Sequence, residues 1–279
     1  MRNGQVVLSK RLQMLADMVT RGNTVADVGC DHGFLSVYLV QNKISPHALA
    51  MDVREGPLGA AREHIESSGL NTYIETRLSD GLKKLKTGEA RTLICAGMGG
   101  RLMERILGND IEKARSIQEL ILQPQSEIPQ FRCFLRREGF RIQAEDGVYE
   151  EGKYYFAMKA VYIGETENIP EKGVCAEACA GITGQHGTDV QSEGPGKDAG
   201  QVSNLRQQAD LQDIYDEYGE LLLKGRHPVL GQYLQYRRET AEKLLQRLEA
   251  EHTERAAERL SEVRRELVEI EIAEGWFER

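Results

Sequence analysis

No stretch of eighteen consecutive apolar residues occurs in this chain of 279, which excludes a membrane-spanning helix. The N-terminal Met1-Arg-Asn-Gly-Gln-Val-Val-Leu-Ser-Lys10 has neither a long apolar segment nor a small-residue cleavage site, so no secretory signal is expected. Cysteine is scarce and unpatterned. Cys30, Cys95, Cys133, Cys175 and Cys179 include no C-x-x-C pair, and the i, i+4 spacing of the last two has no histidine near enough to complete a zinc site. Reduced thiols, a cytoplasmic location and no bound metal are the expectation. Excess positive charge is also missing, with a net charge of −8, although the deficit is local. Residues 1–165 hold 22 basic against 21 acidic side chains, whereas the rest holds 14 against 23. The acidity therefore belongs mainly to the C-terminal part, and the N-terminal part is near neutral with local basic clusters.

What is present is a strand–glycine turn–helix pattern. In Thr24-Val-Ala-Asp-Val-Gly-Cys-Asp-His-Gly-Phe-Leu35 an apolar run breaks at Gly29, turns through Asp31 and His32 to Gly33, and enters an apolar-periodic segment at Leu35. Glycines at such a turn let backbone N–H groups approach a ligand at a helix start, where the helix dipole favours negative charge. The same two glycines also suit a plain tight turn. About twenty residues on, His47-Ala-Leu-Ala-Met-Asp52 reads as a buried strand ending in a carboxylate placed for ribose hydroxyls. A nucleoside-containing cofactor follows. The Gly29-x-x-x-Gly33 spacing departs from G-x-G-x-x-G, and Asp31 would repel a pyrophosphate, which disfavours a nicotinamide dinucleotide. It suits S-adenosylmethionine, whose end at this loop is an amino acid with a carboxylate and an ammonium.

Residues 1–163 alternate strands and helices. An amphipathic helix is predicted over 8–19, and strands over 24–28, 48–52, 73–78, 92–96 and 119–122. Helices are expected over 35–43, 58–67, 102–107 and 128–138. Two further strands, 140–148 and 153–162, flank Tyr149-Glu-Glu-Gly152, a hairpin signal. This predicts an α/β, doubly wound, Rossmann-like class I methyltransferase sheet with a reversed edge strand. Residues 164–204, rich in Gly, Glu, Ser and Gln, read as a flexible linker or insertion. Residues 205–279 read as an antiparallel helical hairpin of coiled-coil character, broken at Lys224-Gly-Arg-His-Pro228.

Three more segments fall at strand ends. Asp80-Gly81 follows the third strand, where a carboxylate can accept from an adenine amino group, though Asp-Gly is also an ordinary turn. Ala96-Gly97-Met98-Gly99-Gly100 leaves a bare backbone for close approach of a cofactor and a planar base. Gln123-Pro124-Gln125 ends the fifth strand beside the same crevice.

Together these residues resemble the bacterial tRNA (adenine-22-N1)-methyltransferases. The resemblance rests on Leu8-Ser-Lys-Arg-Leu12, Gly29-Cys-Asp-His-Gly-Phe-Leu35, Ser67-Ser-Gly-Leu70, Ala96-Gly-Met-Gly-Gly100, Leu120-Ile-Leu-Gln-Pro124 and Lys153-Tyr-Tyr. It covers residues 8–162 well and the helical part loosely. It implies a Rossmann-like catalytic domain with a C-terminal coiled-coil domain, S-adenosylmethionine as cofactor and tRNA as partner. Two departures stand out: the family often has Gln-Pro-Asn where this chain has Gln123-Pro124-Gln125, and Tyr where it has Phe34.

The expected reaction is attack of the adenine N1 lone pair on a sulfonium methyl group. No proton leaves in that step, so alignment and extrusion of the base matter more than a general base. Asp31 is expected to orient the base or the methionyl ammonium, Gln123 to read the adenine amino group, and Phe34 to stack on the base. Gly29, Asp31, His32, Gly33, Asp52, Asp80, Gly81, Ala96, Gly97 and Met98 form the expected cofactor set. Arg132 and Arg136, in a cluster with Arg137 and Arg141, are expected to meet tRNA phosphates, as are Lys83, Lys84 and Lys86, and Arg226, His227, Arg237 and Arg238. Each cluster also reads as a solvated face. A monomer is expected, with a homodimer through the helical part as the alternative. The competing functions are methyl transfer to another acceptor and a non-catalytic RNA-binding protein.

Overall fold

Buried parallel strands need apolar side chains on both faces, and the first half of the chain supplies them. In the computed structural model, which describes residues 6–164, 210–250 and 253–278, all four residues of β1 (Val25–Val28) and all five of β2 (Ala48–Asp52) are buried. The other strands are β3 (Ile74–Leu78), β4 (Thr92–Met98), β5 (Glu119–Pro124), β6 (Phe140–Glu150) and β7 (Lys153–Tyr162). They form one seven-stranded sheet in the order β3-β2-β1-β4-β5-β7-β6. The first five strands run parallel, and β7 pairs antiparallel with both β5 and β6.

That order corrects one expectation. The reversed strand is not at the edge. β7 slots between β5 and β6, so β6 becomes the edge and the tight turn at Glu151 and Gly152, both with positive φ, sets their register.

Alternation along each strand builds two cores. Val25, Ala50, Ile94 and Ile121 face α1 (Lys10–Met18), α2 (Phe34–Gln41) and α3 (Glu55–Ser67) through Leu15, Leu39, Leu58 and Ile65. Ala26, Met51, Leu93 and Leu120 face the opposite layer, α4 (Gly100–Gly108), α5 (Ile111–Ser116) and α6 (Ile128–Arg137), through Met103, Leu107, Ala114 and Phe131. Ser9 caps α1, its side chain accepting from Leu12 N, so the helix starts at Lys10, two residues later than its apolar pattern suggested. The helix α5 has no counterpart among the predicted elements.

The chain divides into two compact units, Met1–Ile169 and Pro170–Arg279. The predicted 164–204 insertion falls, apart from Gly164, outside the described residues. The second unit contains α7 (Leu211–Tyr218), α8 (Glu220–Lys224), α9 (Pro228–Glu249) and α10 (Glu254–Glu274). Gly219, with φ +90°, separates α7 from α8, a break the apolar spacing did not reveal. Arg237 pairs with Glu266 at 2.8 Å and Arg264 with Glu249 at 3.6 Å, so α9 and α10 run antiparallel, as predicted. Ala241, Leu248, Ala256 and Val263 are buried between them.

Cys30 and Cys95 are free, buried thiols. Among the described residues no helix is long and apolar enough to cross a membrane.

Candidate active site

The loops after β1, β2, β3 and β4 open on the same side of the sheet, at the carboxyl ends of the strands, where ligands of open α/β sheets bind. They surround a cleft of about 560 Å³. Residues 27–32, 52–54, 79–81 and 96–98 line it, together with Arg11 and Leu12 from α1, Phe34 and Leu35 from α2, Leu102, Arg105 and Ile106 from α4, and Gln125. Nine of the ten residues expected to hold a cofactor line the cleft: Gly29, Asp31, His32, Asp52, Asp80, Gly81, Ala96, Gly97 and Met98. Gly33 stands just behind them as the left-handed N-cap of α2.

The turn after β1 is built for close approach. Gly29 has φ +78°, and a Cβ there would come within 2.6 Å of Met98 Cε. Asp31 adopts φ +52°, which is unusual for a residue with a side chain, and presents a carboxyl 68% exposed beside the His32 ring at 3.7 Å. Phe34 is exposed, with its ring centroid 5.9 Å from that of His32 and 4.6 Å from that of His64 on α3. His64 Nδ1 lies 3.3 Å from the His32 carbonyl, so α3 braces the loop.

Carboxylates dominate the electrostatics. Asp52 is buried at the tip of β2, where it accepts from Arg54 N at 2.8 Å. Asp80 receives the Lys83 ammonium at 2.5 Å, which holds its carboxyl below the ordinary value. Asp27, buried beneath the turn, accepts from Ser36 Oγ at 2.9 Å. Burial, helped by the neighbouring Asp52 and Asp31, outweighs that hydrogen bond and raises the Asp27 carboxyl from 3.8 to about 6. Burial likewise pushes the Cys95 thiol up to about 12, and Cys30 higher still, so neither is a nucleophile at neutral pH.

The Asp27 shift gives a prediction. The folded protein binds this proton more tightly than the unfolded chain, so the contribution favours folding at low pH and is lost as pH rises from 3.8 through about 6. An Asp27→Asn variant keeps an acceptor for Ser36 and has no charge to desolvate. Its stability relative to the wild type should therefore rise across that interval, by the order of 3 kcal/mol in total. Denaturation midpoints measured at a series of pH values check this, and parallel profiles for the two proteins would contradict it.

Two expectations about single residues need correction. Gln123 does not face the cleft. It is 1% exposed, and its Oε1 accepts from Arg11 Nη1 and from Gly97 N, each at 3.2 Å. The amide that does line the cleft is Gln125, whose backbone N–H donates to the Met98 carbonyl at 3.0 Å. Arg132 is not a surface cation. It is 4% exposed and makes a 2.9 Å ion pair with Glu145, which is 1% exposed, because α6 packs that face against β6. Arg136 is half-buried and Arg137 exposed on the last turn of the same helix. The residues that the apolar and glycine patterns did not flag are Arg11, Asp27, Arg54, Arg105 and Gln125. The family-like Ser-Lys-Arg motif was a signal for the first of them.

The donor set fits a nucleoside carrying an amino-acid tail. A carboxylate at the tip of β2 suits vicinal hydroxyls, the Asp80–Gly81 turn suits an adenine edge, and an acidic, glycine-lined turn suits an ammonium. Residues 8–158 match the family model described as a methyltransferase domain. A Bacillus subtilis protein named tRNA (adenine(22)-N(1))-methyltransferase is 38% identical over 156 residues, which is 56% of this chain and 66% of the relative. The chain belongs to the tRNA (adenine-22-N1)-methyltransferase family. Solved structures extend the likeness to the helical part. The crystal structure of the B. subtilis m1A22 tRNA methyltransferase TrmK is 26% identical, with a TM-score of 0.71, over 96% of this chain and 99% of that one. That of Streptococcus pneumoniae Sp1610 in complex with S-adenosyl-L-methionine is 27% identical, with a TM-score of 0.70, over the same 96% and 99%. Among the described residues no group of three His, Cys, Asp or Glu side chains is disposed to hold a metal ion.

Proposed function

We propose that this chain methylates N1 of adenine 22 in tRNA, using S-adenosylmethionine. The observation that carries the reading is the juxtaposition, in one cleft, of the β1 glycine turn, the Asp52 tip, the Asp80 turn and the Ala96-Gly-Met loop, in a chain of this family. Asp52 accepts the ribose hydroxyls, Asp80 the adenine amino group, and Asp27 and Asp31 face the methionyl ammonium. When bound, S-adenosylmethionine supplies an electrophilic methyl group on a sulfonium.

The protein's own work is placement. N1 lies on the Watson–Crick edge, so the target base must leave its stack. Phe34 and the His64 ring beside it offer a ledge for that base at the mouth of the cleft. Gln125, with both a donor and an acceptor, is the cleft amide able to meet the adenine N6 edge. Neutral adenine N1 carries a lone pair and no proton, so no side chain is needed as a base. Alignment and exclusion of bulk water account for the acceleration. Arg54 and Arg105 in the cleft, with exposed Arg101 nearby on α4, offer positive charge to phosphates around the extruded nucleotide.

The three-part division into a catalytic domain at 1–163, a linker at 164–204 and a helical domain at 205–279 belongs to the same proposal, as does action in the cytoplasm. The test is paired transcripts. Unmodified tRNA should accept label from methyl-labelled S-adenosylmethionine, and the transcript with guanine in place of adenine 22 should accept essentially none. Equal labelling of both would overturn the assigned nucleotide, and an unlabelled pair with intact cofactor binding would point to another acceptor.

A further inference from the structure

The hairpin of β6 and β7 carries an aromatic rung that joins neither core of the sheet. Tyr149 and Tyr154 are register partners across the two strands, with ring centroids 4.7 Å apart and planes at 44°. Tyr149 is 45% exposed. Side chains alternate between the two faces of a strand, so the neighbours fix which side the rung takes. Val148 and Tyr155 pack in the α1 layer, and Glu150 accepts from Lys10 N and Arg11 N at 2.7 and 3.2 Å. Glu145 faces α6 through its ion pair with Arg132. Tyr149, four residues beyond Glu145, therefore takes the α6 side. The helix does not reach it. From Arg132 back to Ile128, where α6 starts, is a rise of about 6 Å. From Glu145 on to Tyr149 is a rise of about 13 Å. Because β7 is antiparallel to both β5 and β6, β6 runs with the parallel strands, and its last residues stand at their carboxyl ends, where the cleft opens. The strand thus outruns its covering helix and carries the rung past it on that side. The rung is also held still: Glu151 and Gly152, with φ +49° and +80°, close the turn, and Glu150 ties the hairpin to the start of α1.

We propose that Tyr149, backed by Tyr154, stacks on an unpaired base of the tRNA next to the extruded nucleotide. The inference rests on the function proposed above and deepens it by giving the acceptor a second point of contact, outside the cleft. Extruding a base strips its neighbours of a stacking partner, and an aromatic side chain replaces what is lost. Such stacking tolerates any base, because every base has a π face, and tyrosine offers a large ring at a small cost in side-chain entropy. Position favours RNA as the occupant. β4, whose Gly97 lines the cleft, lies two strands from β7, a separation of about 10 Å that the nucleotides flanking an extruded base can cross. Charge agrees with position. Both Glu150 oxygens are occupied by the start of α1, and the exposed Lys10 and Lys153 stand against Glu151 at the turn end of the rung, where the strand's phosphates would pass.

Methylation kinetics on unmodified tRNA transcripts test this with wild type, Tyr149→Ala, Tyr149→Leu and Tyr149→Phe. Loss of one stacked base weakens binding by roughly fivefold to a hundredfold. KM for tRNA should rise by a factor in that range in Y149A and Y149L, while affinity for S-adenosylmethionine stays at the wild-type value, and Y149F should remain near wild type in both. An abasic residue placed in turn at the nucleotides flanking position 22 should, at one of them, cost the wild type the same factor and cost Y149A nothing further. A wild-type KM in Y149A would overturn the proposal. So would recovery in Y149L, which would make the loss one of strand packing, or failure of Y149F, which would assign it to the hydroxyl. A wild-type protein that binds S-adenosylmethionine and methylates no tRNA would instead remove the functional reading beneath the proposal.

Discussion

Replacing Asp31 by Asn should reduce kcat/KM for tRNA methylation by about a hundredfold while leaving the fold intact. The residue sits in the left-handed region at φ +52°, in a turn whose flanks are Gly29 and Gly33. Asn tolerates that backbone nearly as well as Asp, so the variant removes charge without remodelling the loop. The carboxylate is open to the cleft and not tied into a buried network. Its loss costs an interaction with the ammonium or the target base of about 1.5–3 kcal/mol, as for hydrogen bonds to charged groups. Asp31→Ala should be at least as damaging, because alanine also resists the positive φ. Single-turnover rates with bound cofactor distinguish a lost step from lost binding. Near-wild-type turnover by D31N would rule the carboxylate out of the reaction.

Arg132→Met should have a large effect of a different kind. Arg132 and Glu145 pair at 2.9 Å between α6 and β6, both almost fully buried. Removing one partner leaves the other charge in a low-dielectric setting, which typically costs about 3–5 kcal/mol. For a chain of this size that corresponds to a fall in Tm of roughly 10 °C or more. Glu145→Gln should also destabilise, and the two losses should fail to add in the double variant, because the first removes the reason for the second. Thermal denaturation of the four proteins measures the coupling. An R132M protein with unchanged Tm and weaker tRNA binding would restore Arg132 to the role of a phosphate contact.

The contrast between these two residues shows what a sequence can and cannot disclose. Asp31 was readable because its neighbours are glycines at fixed offsets after an apolar run, a local signal for a strand-to-helix turn. Arg132 lies in a basic cluster that looks like a solvated face, and the partner that buries it stands on the next strand, placed by tertiary packing alone. Arg11 shows the same limit. Its helix reads as amphipathic packing, and its contact with Gln123 spans 112 positions. The doubly wound, Rossmann-like sheet closed by an antiparallel hairpin followed from alternating elements and a hairpin signal. The insertion of β7 between β5 and β6 did not, since a hairpin's own residues do not say which strand finds the existing edge. The short α5, six residues preceded by an N-cap Asp110 whose side chain makes no capping bond, has too little periodicity to register. Gln123 and Gln125 were separable only by which amide is consumed behind the cleft, a matter of two hydrogen bonds.

The most direct test of the account is methyl transfer from labelled S-adenosylmethionine to an unmodified tRNA transcript, followed by digestion and nucleoside analysis. The account predicts 1-methyladenosine, located at position 22. A labelled product at another atom or nucleotide, or no transfer to tRNA from a protein that binds the cofactor, would contradict it.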